Sequence, residues 1–209
     1  MNVSEESRKK IKFFVLVILV TAAIFFLAIC LFRQHKKQDL ESVTLPDWCE
    51  EAYLPVNPYS RPGTKRREVR NIVVHYVANP KTTARENRNY FASMAEESAE
   101  ERRSVSSHFI IGLEGEILCC VPVQEVAYAN YPRNEDTISI ECCHPDDSGK
   151  FTRETEDSLI KLVSWLCQSL DLKASDVIRH YDVSGKNCPK YYVEHEDAWT
   201  ALRKRITDR

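Results

Sequence analysis

NIVVHYV, residues 71–77, and TISIECC, residues 137–143, decide the fold. Each is a short, β-branched, apolar run bounded by polar or turn-forming residues, the pattern of a buried strand. Each also holds one residue that is expensive in a dry strand, His75 in the first and Glu141 in the second. Working outward, HFIIGL (108–113) and EILCCV (116–121) flank Glu114-Gly115, a turn signal, and so read as a hairpin. Residues 152–171 read as an amphipathic helix: Thr152 is a good N-cap, and Leu159, Leu162, Val163, Leu166 and Leu170 recur at helical spacing. A charged helical pattern runs from Thr83 to about Arg103, with Tyr90, Phe91, Met94 and Ala95 as its apolar face. Residues 176–180 suit a short strand, and 198–206 a closing helix. Strands interleaved with helices imply an α/β domain, a mixed central β-sheet flanked by helices.

The stretch 13–32, FFVLVILVTAAIFFLAICLF, carries no charge and is long enough for one N-terminal transmembrane helix, since ~20 helical residues cross a bilayer core. It exceeds the ~7–15-residue apolar region of a cleaved signal, and no A-x-A site follows. Leu27-Ala28-Ile29-Cys30 has the outline of a lipoprotein cleavage box, but Ile29 stands where a small residue is required. A retained anchor is therefore expected. Basic residues flank both ends, with a slight bias toward a cytoplasmic N-terminus that places the rest outside the cell. The expected organisation is a short N-terminus (1–12), the anchor (13–32), a linker rich in proline and charge (33–70), whose residues 57–63 have the alternative of lying against the domain that follows, and a catalytic domain (71–209). A formal net charge of −2 argues against a nucleic-acid partner, which usually demands a basic excess.

Of eight cysteines, Cys119-Cys120 and Cys142-Cys143 are adjacent pairs within strands. Strand neighbours point to opposite faces, so each pair is expected to supply one buried thiol and one less buried. Disulfide pairing is not assignable from the sequence. Cys188 differs. It lies in HYDVSGKNCPKYY (180–192) with His180 and Lys186. Imidazole nitrogen and thiolate sulfur are preferred zinc donors, and a catalytic zinc site uses three protein ligands and leaves one position open. His75, His180 and Cys188 supply such a set. Glu141 suits a general base, and Lys186 a positive group for a developing oxyanion. Each residue also has a structural reading: a satisfied core histidine, a packed thiol, a solvated lysine. Glu141 is the least ordinary, because an unpaired buried carboxylate is costly. Spacing alone leaves both readings open.

From about Asn57 to Ile206 the chain resembles the zinc amidase family that includes amidase-type phage lysozymes, bacterial N-acetylmuramoyl-L-alanine amidases and animal peptidoglycan recognition proteins. The resemblance lies in IVVHYVANPKTTARENRNYF, SSHFIIGLEGEILCCVP, TISIECCHPDDSGKFT and IRHYDVSGKNCPKYY. It implies Zn2+ bound by His75, His180 and Cys188, with Glu141 and Lys186 catalytic. It also implies a peptidoglycan partner, a membrane location through the N-terminal helix with the catalytic domain on the cell-wall side, and hydrolysis of the amide between N-acetylmuramic acid and L-alanine. The alternative is a peptidoglycan-binding module of the same fold. Such members typically lose the zinc Cys, which is present here as Cys188. A structural zinc site is a weaker option, since that normally needs four protein ligands. One departure is Ser107, where several members carry a Tyr near the metal. His108 is expected to be structural, His144 to be a possible cleft residue just beyond the Glu141 strand, and His195 an exposed helix-start residue.

Overall fold

The computed structural model describes residues 5–34, 38–96 and 103–207. They form two compact units, Met1–Lys37 and Gln38–Arg209. The first unit is one helix, α1 (Glu5–Gln34). Its 18-residue window Lys10–Leu27 has a mean hydropathy of 2.4 and buries nothing, so it is long and apolar enough to cross a membrane.

The second unit contains β1 (Glu50–Glu51), β2 (Asn71–Tyr76), α2 (Ala84–Ser93), β3 (Phe109–Ile111), β4 (Ile117–Cys119), β5 (Thr137–Cys142), α3 (Arg153–Leu170), β6 (Val177–Arg179), α4 (His180–Ser184), α5 (Lys190–Glu194) and α6 (Glu196–Thr207), with three short 3-10 turns. The strands form one sheet in the order β1-β4-β3-β5-β2-β6. Only the β3–β4 hairpin is antiparallel, so the sheet is mixed as expected.

The period of two along each strand sorts the core into two layers. Ile72, Val74, Phe109, Ile111, Ile138, Ile140 and Cys142 meet α3 and α6, through residues such as Leu159, Leu166, Trp199 and Leu202. The opposite face carries Ile110, Leu118, Cys120 and Cys143 against Ala84 and Phe91 of α2, with Ala52 and Leu54. Both layers are covered, which corrects the expectation for the cysteine pairs: Cys119, Cys120, Cys142 and Cys143 are all fully buried. None of the described cysteines forms a disulfide.

Thr83 caps α2 with a reciprocal capping box to Glu86, and Thr152 caps α3 through the Thr155 amide, as its sequence position requires. The α2 helix is shorter than its sequence pattern. It stops at Ser93, with Phe91 and Met94 buried but Tyr90 exposed; part of the expected extension, residues 97–102, lies outside the described residues.

The stretch 33–70 was expected to be a linker. From Gln38 onward it is instead part of the second unit. The Gln38 side chain donates to the carbonyls of Val69 and Leu170 and accepts from the Val69 amide. The Ala52 and Leu54 amides bond to the Cys119 and Cys120 carbonyls. Arg88 on α2 donates to the carbonyls of Ala52 and Tyr53. Leu40, Cys49, Ala52 and Leu54 are apolar residues spaced too irregularly to show a period, yet each is buried. Leu54→Ala should therefore destabilise the protein by about 2–5 kcal/mol. In thermal melts of the detergent-solubilised chain this should lower Tm by roughly 5–15 °C. A freely swinging linker would leave Tm unchanged.

Candidate metal centre and cleft

The parallel pairing of β2 and β5 sets His75 directly opposite Glu141. Their side chains share the face that α2 covers further along the sheet, and both sit at the carboxyl ends of their strands. On the other side of β2, Val74 pairs with Arg179, so the next residue, His180, emerges beside His75. The two imidazole rings lie 4.5 Å apart between centroids. Arg179 fastens this corner. It is buried and makes paired hydrogen bonds to Asp182 at 3.0 and 3.1 Å, with a further bond to the Tyr192 carbonyl.

After His180 the chain makes the single-turn helix α4 and ends it at Gly185, whose φ of 76° is the left-handed conformation that glycine adopts without a Cβ penalty. The loop then folds back. The Cys188 amide donates to the Lys186 carbonyl at 2.7 Å, and the Tyr181 amide to the Cys188 carbonyl at 2.9 Å. This return brings Cys188 Sγ to 3.7 Å from His75 Nδ1. One donor atom from each of His75, His180 and Cys188 lies within 4.8 Å of the others, a spacing that could hold a metal ion.

Burial sets the protonation states. Desolvation, aided by His180, pushes His75 down to about 3. Desolvation and then Lys186 push His180 down to about 4. Both imidazoles are thus neutral at pH 7, the form that donates to a metal. The Cys188 thiol is raised to about 12 by burial and then by Glu141, and a coordinated cation reverses that preference outright. Glu141 is pushed up to about 8 by burial, against the opposing pull of Lys186. Its Oε1 stands 3.8 Å from His75 Nδ1; with His75 neutral this is not an ion pair.

These groups line a cleft of about 560 Å³, together with Tyr76, Ser104, Val105, Tyr128, Tyr131 and Asn134. That size suits a small polar ligand. All five residues singled out from the sequence, His75, Glu141, His180, Lys186 and Cys188, line it. His144 does not. It is buried behind Tyr76, its ring 5.2 Å from the Tyr76 ring and its Nδ1 2.7 Å from the Asp146 carbonyl. His108 is enclosed by Ser139, Arg66 and the Glu125 carbonyl. The Ser107 hydroxyl is directed at the carbonyls of Phe109 and Ser139. His195 is exposed immediately before α6. One residue escaped the sequence reading: Asn130, fully buried, with its Oδ1 2.7 Å from His75 Nε2. In AYANYPRN it looks like an ordinary turn residue, and nothing local marks it.

Residues 65–191 match the N-acetylmuramoyl-L-alanine amidase family. The chain is 32% identical over 166 residues to the N-acetylmuramoyl-L-alanine amidase CwlL of Bacillus licheniformis, covering 74% of this chain and 45% of that protein. It is 31% identical over 176 residues to the N-acetylmuramoyl-L-alanine amidase BlyA of Bacillus subtilis (strain 168), covering 74% and 46%. The chain thus spans about half the length of the curated relatives it matches. Among solved structures, a mutant endolysin from Bacillus subtilis shares the fold, with a TM-score of 0.62 at 22% identity over 76% of this chain and 97% of that one. PlyL does likewise, at 0.61 and 24% over 76% and 97%. With its family match covering well over half its length, this chain belongs to the N-acetylmuramoyl-L-alanine amidase family.

Proposed function

We propose that the chain hydrolyses the amide bond between N-acetylmuramic acid and the L-alanine of the peptidoglycan stem peptide, with a zinc ion held by His75, His180 and Cys188. The observation that carries the reading is the donor triad facing a cleft with Glu141 across from His75. The residues fit the ion. Two neutral imidazoles and one thiol form a borderline-soft donor set, three in number rather than four, as in catalytic zinc sites. His180 Nδ1 and Glu141 Oε2 are buried without a hydrogen-bond partner, a cost that a site awaiting an ion and a substrate explains. When bound, the ion would polarise the scissile carbonyl and lower the pKa of water to ~7.

The chain's own residues supply the rest. Glu141, as carboxylate, takes a proton from the attacking water and passes it to the leaving amine nitrogen. A carboxyl raised toward neutrality by burial is matched to both transfers. Lys186 is exposed at the cleft and supplies positive charge where the oxyanion grows. For location, α1 is the natural anchor, placing the domain on the cell-wall side of the membrane.

Digestion of purified wall by the full chain in detergent should release new L-alanine amino termini and no new reducing sugars. Binding to wall without new amino termini would favour the non-catalytic module. A chelator should abolish the activity and zinc restore it, at about one zinc per chain by elemental analysis; full activity in metal-free protein would rule this mechanism out.

Zinc content read beside rate separates the roles of the site residues. Glu141→Ala should keep zinc and lose ~10²–10⁴-fold in rate. Lys186→Ala should keep zinc and lower kcat, whereas Cys188→Ala should lose both metal and activity. Loss of metal from Glu141→Ala would make Glu141 a ligand and overturn the assignment. For the anchor, mass spectrometry of the membrane fraction should find the N-terminus intact, and a chain processed after Phe32 would contradict it.

A further inference from the structure

The hydrogen bonds behind His75 form a relay whose direction is fixed from its far end. Thr137 Oγ1 lies 2.6 Å from the Arg133 carbonyl oxygen. A carbonyl only accepts, so the single hydroxyl proton of Thr137 is committed there. Asn130 approaches the same Oγ1 at 2.8 Å. With its proton already used, Oγ1 must accept, so Asn130 turns its NH2 toward Thr137. Its oxygen then faces His75 Nε2, at 2.7 Å. An amide oxygen also only accepts, so Nε2 must carry the ring proton. The lone pair is left on Nδ1, the atom 3.7 Å from Cys188 Sγ.

All three members are sealed from water: His75 is 2% exposed, Asn130 1% and Thr137 0%. The loop is held as well, because Asn134 Oδ1 accepts from the amides of Ala129 and Asn130.

We infer that Asn130, oriented by Thr137, is a positioning residue that holds His75 in the Nε2-protonated tautomer and so delivers Nδ1 as its metal-donating atom. This deepens the proposed zinc site and rests on it for the identity of the ion. Outer-shell partners of this kind typically contribute ~10–100-fold in metal affinity.

The test has two readouts, neither of them activity. In the metal-free full chain in detergent micelles, 15N-resolved two-bond correlation spectra report the tautomer of each histidine, with His75 assigned by loss of its signals in His75→Gln. Wild-type His75 should appear as the Nε2–H form. Zinc affinity is then measured by competition with a chromophoric chelator. Asn130→Leu removes the acceptor at nearly constant volume and should bind zinc about 10–100-fold more weakly. Asn130→Asp, as the protonated acid, retains an oxygen toward Nε2 and a donor toward Thr137 Oγ1, and should bind zinc within a few-fold of wild type at a pH low enough to keep it protonated. That rescue separates positioning from a general loss of packing.

An Nδ1–H tautomer in the wild type would overturn the inference, as would an Asn130→Leu protein that binds zinc with wild-type affinity. If Asn130→Leu fails to fold, the wild-type tautomer and the Asn130→Asp affinity still decide it. Failure of the wild type to bind zinc would defeat the functional proposal, whereas the tautomer measurement would still decide the relay.

Discussion

The in-register parallel pairing of β2 with β5 is the constraint on which the site depends. It sets His75 against Glu141, Ile72 against Ile138 and Val74 against Ile140 in one ladder. Side chains alternate faces, so the ladder that buries four β-branched residues against α3 and α6 also turns His75 and Glu141 to the opposite side. A slip of one residue would exchange these sets. A slip of β2 would drive the imidazole into the apolar layer, and a slip of β5 the carboxylate, each turning that strand's apolar residues toward the cleft. The hydrophobic core therefore enforces the geometry of the polar centre, and packing and chemistry are specified by the same alternation.

Burial then does chemical work at that centre. Desolvation is the largest influence on His75, His180, Glu141 and Cys188, and in each case it favours the uncharged form. Uncharged imidazoles are ready to donate to a metal. A carboxyl poised near neutrality can both take and give a proton. The cost is visible in buried polar atoms without partners, among them Glu141 Oε2 and His180 Nδ1. Elsewhere the same fold pairs its part-buried charges: Arg61 and Glu125 meet through two hydrogen bonds, at 2.8 and 3.0 Å. The unpartnered Glu141 Oε2 and His180 Nδ1 belong to residues that line the cleft, where a bound ion or substrate would supply the missing partner.

Much of this was legible in the sequence, for identifiable reasons. Strands β2 through β6 lie in short apolar or β-branched runs and α3 and α6 in helical patterns, and the structure shifts their ends by only a few residues. Of the five cleft residues, His75 and Glu141 are conspicuous in apolar strands and HYDVSGKNCPKYY sets out a His, a Lys and a Cys in order, but it was the family resemblance, not the spacing, that joined them into one set. Three features were not legible. The 38–70 stretch lacks a period because it packs as isolated anchors, such as Leu40 and Leu54, held by backbone hydrogen bonds to partners distant in sequence. The thiols at Cys120 and Cys143 are buried because α2 covers the second face, which no local pattern in their own strands announces. Asn130 acts through a residue 55 positions away, and an asparagine in a turn has no need of such a partner.

Arg66 shows how far the site's supports extend. It lies in the stretch read as a linker, yet it is almost fully buried and donates to the backbone carbonyls of Thr137, at 2.6 Å, and Glu125, at 2.9 Å. Thr137 is thus gripped from two directions, by a guanidinium at its carbonyl and by Asn130 at its hydroxyl. It is also the first residue of β5, paired with the first residue of β2. A shift of Thr137 along the strand would disturb the register and the orientation of His75 together. The guanidinium that pins it therefore steadies the first link of the chain Thr137–Asn130–His75, although Arg66 does not itself line the cleft. Rigid support of this kind is what the proposed metal site would require, because a small error in the angle of one ring moves its donor atom away from the other two.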